Sequence, residues 1–134
     1  MKRSNHELVR GFLAALSTGD LPDELFTEDA MVWTITSGAA AKTQYQSVVK
    51  LLHSLFAGGL TYQVDSLTAE DDRVAAEVHA HGTLVNGEDY ANTYVFIFRI
   101  RAERIARISE YFNALVVREK LAPLMLAAAN KSGR

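Results

Sequence analysis

The 134-residue chain contains no cysteine. Disulfides, thiol nucleophiles and cysteine metal sites are therefore excluded. Proline is scarce, with only Pro22 and Pro123, so most of the chain is free to run as unbroken helix or strand. No apolar run approaches the ~18 residues that a membrane-spanning helix needs. Neither sign of charge dominates: 14 Lys+Arg stand against 16 Asp+Glu, a net charge of −2. A nucleic-acid partner, which would call for a basic face, is not expected. There is no Gly-rich phosphate loop and no G-x-S-x-G nucleophile elbow. The basic start, Met1-Lys2-Arg3-Ser4-Asn5-His6, is followed by no apolar stretch, which predicts no secretory leader and a cytoplasmic location.

What remains is a globular composition, 49% hydrophobic and 22% charged, at a length that suits one domain over residues 1–134. Ser4 and Glu7 have the spacing of a capping box, and Val9, Phe12, Leu13 and Leu16 then form one helical stripe that Gly19 ends. Asp20 can cap a second, short helix with Pro22 in its first turn and Leu25 and Phe26 facing inward. Thr27-Glu28-Asp29 ends that helix. Met31 to Thr36 reads as a strand and Ser37 to Ala41 as a loop. Thr43 and Gln46 repeat the capping-box spacing ahead of a stripe of Tyr45, Val48, Val49, Leu52, Leu55 and Phe56, which Gly58-Gly59 should stop.

From Leu60 the period becomes two. Strands are expected over Leu60–Leu67, Val74–Leu84, Tyr90–Ile100 and Ile105–Leu115. Turns fall at Glu70-Asp71-Asp72, at Asn86-Gly87 and at Ala102-Glu103-Arg104. Val116–Asn130 should be helical but broken near Pro123, with Lys131 to Arg134 frayed. Helices first and an antiparallel meander afterwards make an α+β fold. Long twisted strands around a few helices can leave a cavity between sheet and helix.

Alternation sorts the strand faces. On Val74–Leu84 the apolar set is Val74, Ala76, Val78, Ala80 and Leu84. The other set, with Glu77, His79 and His81, meets solvent or a subunit interface, or else lines a polar pocket; spacing alone favours the former. Glu77, His79 and His81 could hold a metal only if all three converged, and none is expected there. On Tyr90–Ile100, Tyr90, Asn92, Tyr94, Phe96 and Phe98 share one face, which reads first as core. On the last strand Glu110 shares a face with Ala106, Ile108 and Phe112. A carboxylate on an apolar face is costly unless paired, and burial raises its pKa, which suits either an acid/base group or a structural carboxylate.

Several segments together resemble the SnoaL-like, ketosteroid-isomerase-like branch of the nuclear transport factor 2 superfamily. They include Val9–Leu16 with Gly19-Asp20, Leu25–Ile35, Asp72-Arg73-Val74-Ala75, His81-Gly82-Thr83, Asn86-Gly87, Tyr90–Tyr94 and Ile108–Asn113. The resemblance implies a cone-shaped, curved antiparallel sheet wrapping N-terminal helices (cystatin-like), with a short C-terminal helix, a deep pocket and a homodimer through the open sheet face. It does not imply steroid isomerisation. The family's oxyanion Tyr, base Asp and protonated Asp fall at Phe12, Thr34 and near Phe96, none of which can replace them. Limonene-epoxide-hydrolase-like members are similar at Glu110-Tyr111-Phe112-Asn113. Their other catalytic positions fall at Glu77, His79, Val32 and Thr34, so only the carboxyl is kept in kind. This comparison puts His79 on the pocket side with Glu110.

The expectation is a homodimeric pocket protein for a small hydrophobic molecule, with no cofactor, no nucleic acid and no membrane. Glu110 would serve as acid/base in an isomerase, cyclase or hydratase-type step, with His79 as its catalytic partner. Phe12, Trp33, Thr34, Asn92, Tyr94, Phe96 and Phe112 would bind the ligand. The alternatives are a non-catalytic ligand binder and a protein-interaction module of the same fold.

Overall fold

The computed structural model describes residues 4–132; Met1–Arg3, Gly133 and Arg134, parts of the segments discussed as the basic start and the frayed tail, lie outside the described residues. Helix α1 spans Asn5–Thr18. Ser4 Oγ accepts from the Glu7 N–H at 3.1 Å, and Gly19 closes the helix in a left-handed conformation, φ +79°. The predicted stripe of Val9, Phe12, Leu13 and Leu16 is buried, together with Leu8. Phe12 is fully enclosed, its ring edge-on to Phe26, Phe96 and Phe98.

The short second helix is reduced to one 3₁₀ turn, Asp23–Leu25. Strand β1 (Phe26–Thr34) begins at once, so Thr27-Glu28-Asp29 continues a strand rather than ending a helix. The cause is tertiary: Phe26 pairs with Ile105 and seats its ring against Phe12. The expected loop after β1 contains β2 (Gly38–Ala41), which pairs antiparallel with β1. Gly-Ala-Ala-Ala has little intrinsic strand preference, so only its pairing makes it a strand.

Helix α2 spans Lys42–Ser54 and has no side-chain N-cap; the Thr43/Gln46 box does not form. The Gln46 amide instead donates to the Leu21 carbonyl at 3.0 Å, and Lys42 pairs with Asp23 at 3.0 Å. Strand β3 (Phe56–Glu70) starts before Gly58-Gly59, which therefore do not stop a helix. Both glycines have positive φ, +82° and +87°, and lie between the pairs Ala57–Thr83 and Leu60–Gly82, forming a bulge in the strand. A Cβ on Gly82 would come within 3.0 Å of the Gly59 carbonyl, so the bulge requires close backbone approach.

Strands β4 (Arg73–Leu84), β5 (Asp89–Arg101) and β6 (Arg104–Phe112) follow the predicted hairpins. The β5–β6 turn places two non-glycine residues, Ala102 and Glu103, at φ +50° and +62°. The sheet order is β2-β1-β6-β5-β4-β3. All pairings are antiparallel except β1 with β6, which is parallel, so the curved sheet is mixed rather than wholly antiparallel, and it does not close. Local periodicity carries no information on the relative direction of strands so distant in sequence.

Beyond β6 lie α3 (Ala114–Val116), a π-helical turn (Val117–Leu121) and α4 (Ala122–Ser132). The helical break predicted at Pro123 is a widened turn just before it, which accommodates the missing N–H without ending the helix. Helix α1 packs on β3 and β4, whereas α2 spans β1, β2 and β3. The space left under α2 is the site.

Candidate functional site

The cavity has a volume of about 150 Å³ and is walled by α2, the inner face of the sheet and the C-terminal helices. An apolar cavity of about that size can hold a benzene-sized molecule. Val49, Leu52, Phe56, Leu60, Leu121 and Met125 supply much of its apolar wall. The same strand alternation that buries Ile108 turns Glu110 inward, and Glu110 is only 9% exposed. Its neighbours across the sheet are Phe96 on β5 and Thr34 on β1.

Tyr45 reaches Glu110 from α2. Its hydroxyl donates to Glu110 Oε1 at 2.6 Å. The other carboxylate oxygen has no hydrogen-bond partner among the described residues, yet no enclosed polar side-chain atom is left unpaired. That oxygen is therefore open to the cavity. Burial pushes the Glu110 pKa up to about 7, against the Tyr45 hydrogen bond, which pulls it down. The Tyr45 phenol is held well above its usual value by burial, then by the Glu110 charge, so it remains a donor. Tyr62 and Tyr94 also line the cavity, edge to face at 5.8 Å, and burial keeps both protonated.

Of the residues proposed from sequence, Glu110, Thr34, Tyr94 and Phe112 line this cavity. Phe12 and Phe96 do not, because both are sealed in the core behind it. Trp33 alternates with Val32 and Thr34, and so lies on the outer face, its ring against Tyr111 at 5.1 Å. Asn92 is buried in a hydrogen-bond network with Tyr90, Asn113 and Thr93, outside the cavity wall.

His79 does not meet Glu110. It projects from the opposite face of the sheet, with its side chain 42% exposed, and Nδ1 lies 2.9 Å from Asp65. Glu77 on the same face accepts from Ser66 at 2.8 Å, and among the described residues no three His, Asp or Glu are grouped to hold a metal. Face alternation alone therefore placed His79 better than family correspondence did. An offset of one residue in such a correspondence transfers a whole strand to the other face.

Thr36, Ser37, Gln44, Tyr45, His53 and Tyr62 are the polar wall residues that sequence reasoning missed as site members. Tyr45 was visible only as one residue of an apolar stripe. Its inward position on α2 was legible, but its partner, 65 residues away, was not. His53 lies where Gly19 makes room: a Cβ on Gly19 would collide with the base of its ring.

No curated protein matches the chain. Among solved structures, IdmH from Streptomyces antibioticus, a proposed polyketide cyclase, has 20% identity and a TM-score of 0.77 over 89% of this chain and 99% of its own. A proposed isomerase from Bacillus subtilis has 25% identity and a TM-score of 0.72 over 85% and 89%. AclR from Streptomyces galilaeus, a proposed hydroxylase, has 19% identity and a TM-score of 0.74 over 84% and 92%. These likenesses show the nuclear transport factor 2-like fold, a fold shared by proteins assigned to different chemistries. No helix among the described residues is long and apolar enough to cross a membrane. The profile of the SnoaL-like domain matches residues 9–108, three quarters of the chain and ending two residues before Glu110. The chain belongs to the SnoaL-like domain family.

Proposed function

We propose that this protein binds a small, mostly apolar molecule under α2 and uses Glu110 as a general acid/base for a single proton-transfer reaction: isomerisation, cyclisation, dehydration or hydration. One observation carries the proposal. Glu110 has one oxygen anchored by Tyr45 and the other open to an apolar cavity, with its pKa raised to about 7. At neutral pH such a carboxyl is present in both protonation states, so it can accept a proton and return it. Tyr45 replaces His79 as its partner: it fixes the carboxyl rather than relaying protons, because its own pKa lies well above the usual phenol value. The step needs no cofactor, and a cytoplasmic setting suits it.

The test is Glu110→Gln, which keeps the shape and the Tyr45 hydrogen bond. Turnover should fall by roughly 10²–10⁴-fold while affinity for an apolar ligand stays within a few-fold. Unchanged turnover would overturn the role of Glu110. A protein that binds ligands but turns none over would be a binder of the same fold.

The outer face supports a second element of the proposal, a homodimer. Trp33 and half-exposed Tyr111 form an aromatic pair there, with Val95 and Ile97 only partly covered. Val95→Glu should convert a dimer to a monomer in analytical ultracentrifugation. A wild-type monomer at tens of micromolar would remove this element without touching the cavity.

A further inference from the structure

Beside the carboxyl, β5 carries a chain of three hydrogen-bonding side chains whose direction can be deduced. Asn92 Oδ1 accepts from two backbone N–H groups, Thr93 at 2.8 Å and Asn113 at 3.1 Å. The amide orientation is thereby fixed, because an amide NH₂ in that position would face two donors. Its Nδ2 then donates to the Asn113 carbonyl at 3.2 Å and to the Tyr90 hydroxyl oxygen at 3.0 Å. The Tyr90 hydroxyl lies 2.8 Å from that of Tyr94.

Either phenol could donate across that 2.8 Å, and burial distinguishes the two directions. Tyr90 is 1% exposed and does not line the cavity. If Tyr94 donated to Tyr90, the Tyr90 proton would have no acceptor among the described residues, an unpaired donor in the core. If Tyr90 donates to Tyr94, every group behind the cavity wall is paired. The spare proton then belongs to Tyr94, which does line the cavity.

We propose that Asn92 and Tyr90 act as positioning residues that leave the Tyr94 hydroxyl proton free for the cavity, which therefore favours apolar molecules bearing an acceptor oxygen such as a carbonyl. This inference rests on the small-molecule reading of the cavity and adds a ligand class to it. Each donor in the chain polarises the next, so Tyr94 is a stronger donor than an isolated phenol. It complements the open oxygen of Glu110; the Tyr62 phenol, which lines the same cavity and has no hydrogen-bond partner among the described residues, is a second wall donor outside this chain.

The test uses two probes of nearly equal shape, cyclohexanone and methylenecyclohexane, which differ in C=O against C=CH₂, and a Tyr62→Phe background in which the other wall phenol cannot donate. In that background, with Tyr94 intact, the protein should bind the ketone about fivefold more tightly, the worth of roughly one hydrogen bond. The carbonyl stretch of bound cyclohexanone should shift to lower frequency than in an apolar solvent. Adding Tyr94→Phe should drop the affinity ratio below one, because the carbonyl is then buried without a donor, and return the band to its apolar position. Tyr90→Phe should weaken the preference without abolishing it, because Tyr94 keeps its proton but loses its polarising donor. Asn92→Leu tests the start of the chain, and folding of each variant is checked by circular dichroism.

The opposite direction predicts the opposite sign. Tyr94 would then be occupied, the ketone would bind no more tightly than the hydrocarbon in the Tyr62→Phe background, and adding Tyr90→Phe would raise the ketone preference. That result overturns the inference and leaves the cavity reading intact. Failure of both probes to bind wild-type protein at millimolar concentration overturns both.

Discussion

Glu110 and His79 both hold a single hydrogen-bonded partner from another element, at 2.6 Å and 2.9 Å. They lie on opposite faces of the same sheet. On the inner face Glu110 is nearly enclosed, and removal of water drives its pKa to about 7 in spite of the Tyr45 bond. On the outer face His79 and Asp65 are 42% and 44% exposed at the side chain, and water screens their attraction. The two pairs show that distance alone does not make a titratable group chemically useful. Burial does, by making one protonation state expensive.

The largest stability effect should come from removing that expense. The burial cost of Glu110 is absent below pH 4.5, where the carboxyl is protonated folded or unfolded. It grows between 4.5 and about 7 and is complete above. At 1.36 kcal/mol per pH unit this amounts to about 3 kcal/mol. Glu110→Gln should therefore gain up to about 3 kcal/mol over wild type at pH 8 in urea denaturation, and nearly nothing at pH 4. A loss of stability at pH 8 would mean that the carboxylate is well solvated, and the contrast between the faces would collapse. Greater stability combined with lost turnover would mark a group kept for chemistry rather than for folding.

Tyr45→Phe should act in the other direction and more weakly. The Tyr45 bond lowers the Glu110 pKa, so its loss should move the carboxyl midpoint above about 7, as read by the carboxyl carbon shift in NMR. Stability at pH 8 should fall by roughly 1.5–3 kcal/mol, the range for a hydrogen bond to a charged group. A midpoint that stays put or falls would show that Tyr45 does not hold the carboxylate.

How far this arrangement can be read from sequence depends on the range of the interactions. The α1 stripe, the β4–β6 hairpins and the inward turn of Glu110 are local, and alternation or helical spacing reports them. Strand β2 escaped because Gly-Ala-Ala-Ala carries no preference, and Gly58-Gly59 misled because a bulge and a helix stop use the same residue. The parallel β1–β6 pairing and the Tyr45–Glu110 bond join segments far apart in sequence, so no local pattern encodes them. Aromatic residues posed a different difficulty. Phe12, Phe96 and Tyr94 have the same inward sense, but only Tyr94 reaches the cavity, because the Phe12 cluster fills the space before it. Direction toward the interior is legible; the depth at which packing stops is not.

The smallest effect should be on the outer face. Exposed ion pairs are worth about 0–1 kcal/mol, so His79→Ala should change stability by less than about 1 kcal/mol. Adding 0.5 M salt should shrink the difference further. Affinity for cyclohexanone should not change, because the backbone of β4 separates the imidazole from the cavity. The outcome bears on more than a surface pair. If His79→Ala lowered turnover as far as Glu110→Gln, the imidazole would have to reach the reaction through the sheet or through a partner subunit. The inner face would then be only part of the site. If turnover is unchanged, the chemistry belongs to the face that excludes water, and the E-x-H-x-H alternation of Glu77, His79 and His81 is a feature of the solvated face alone.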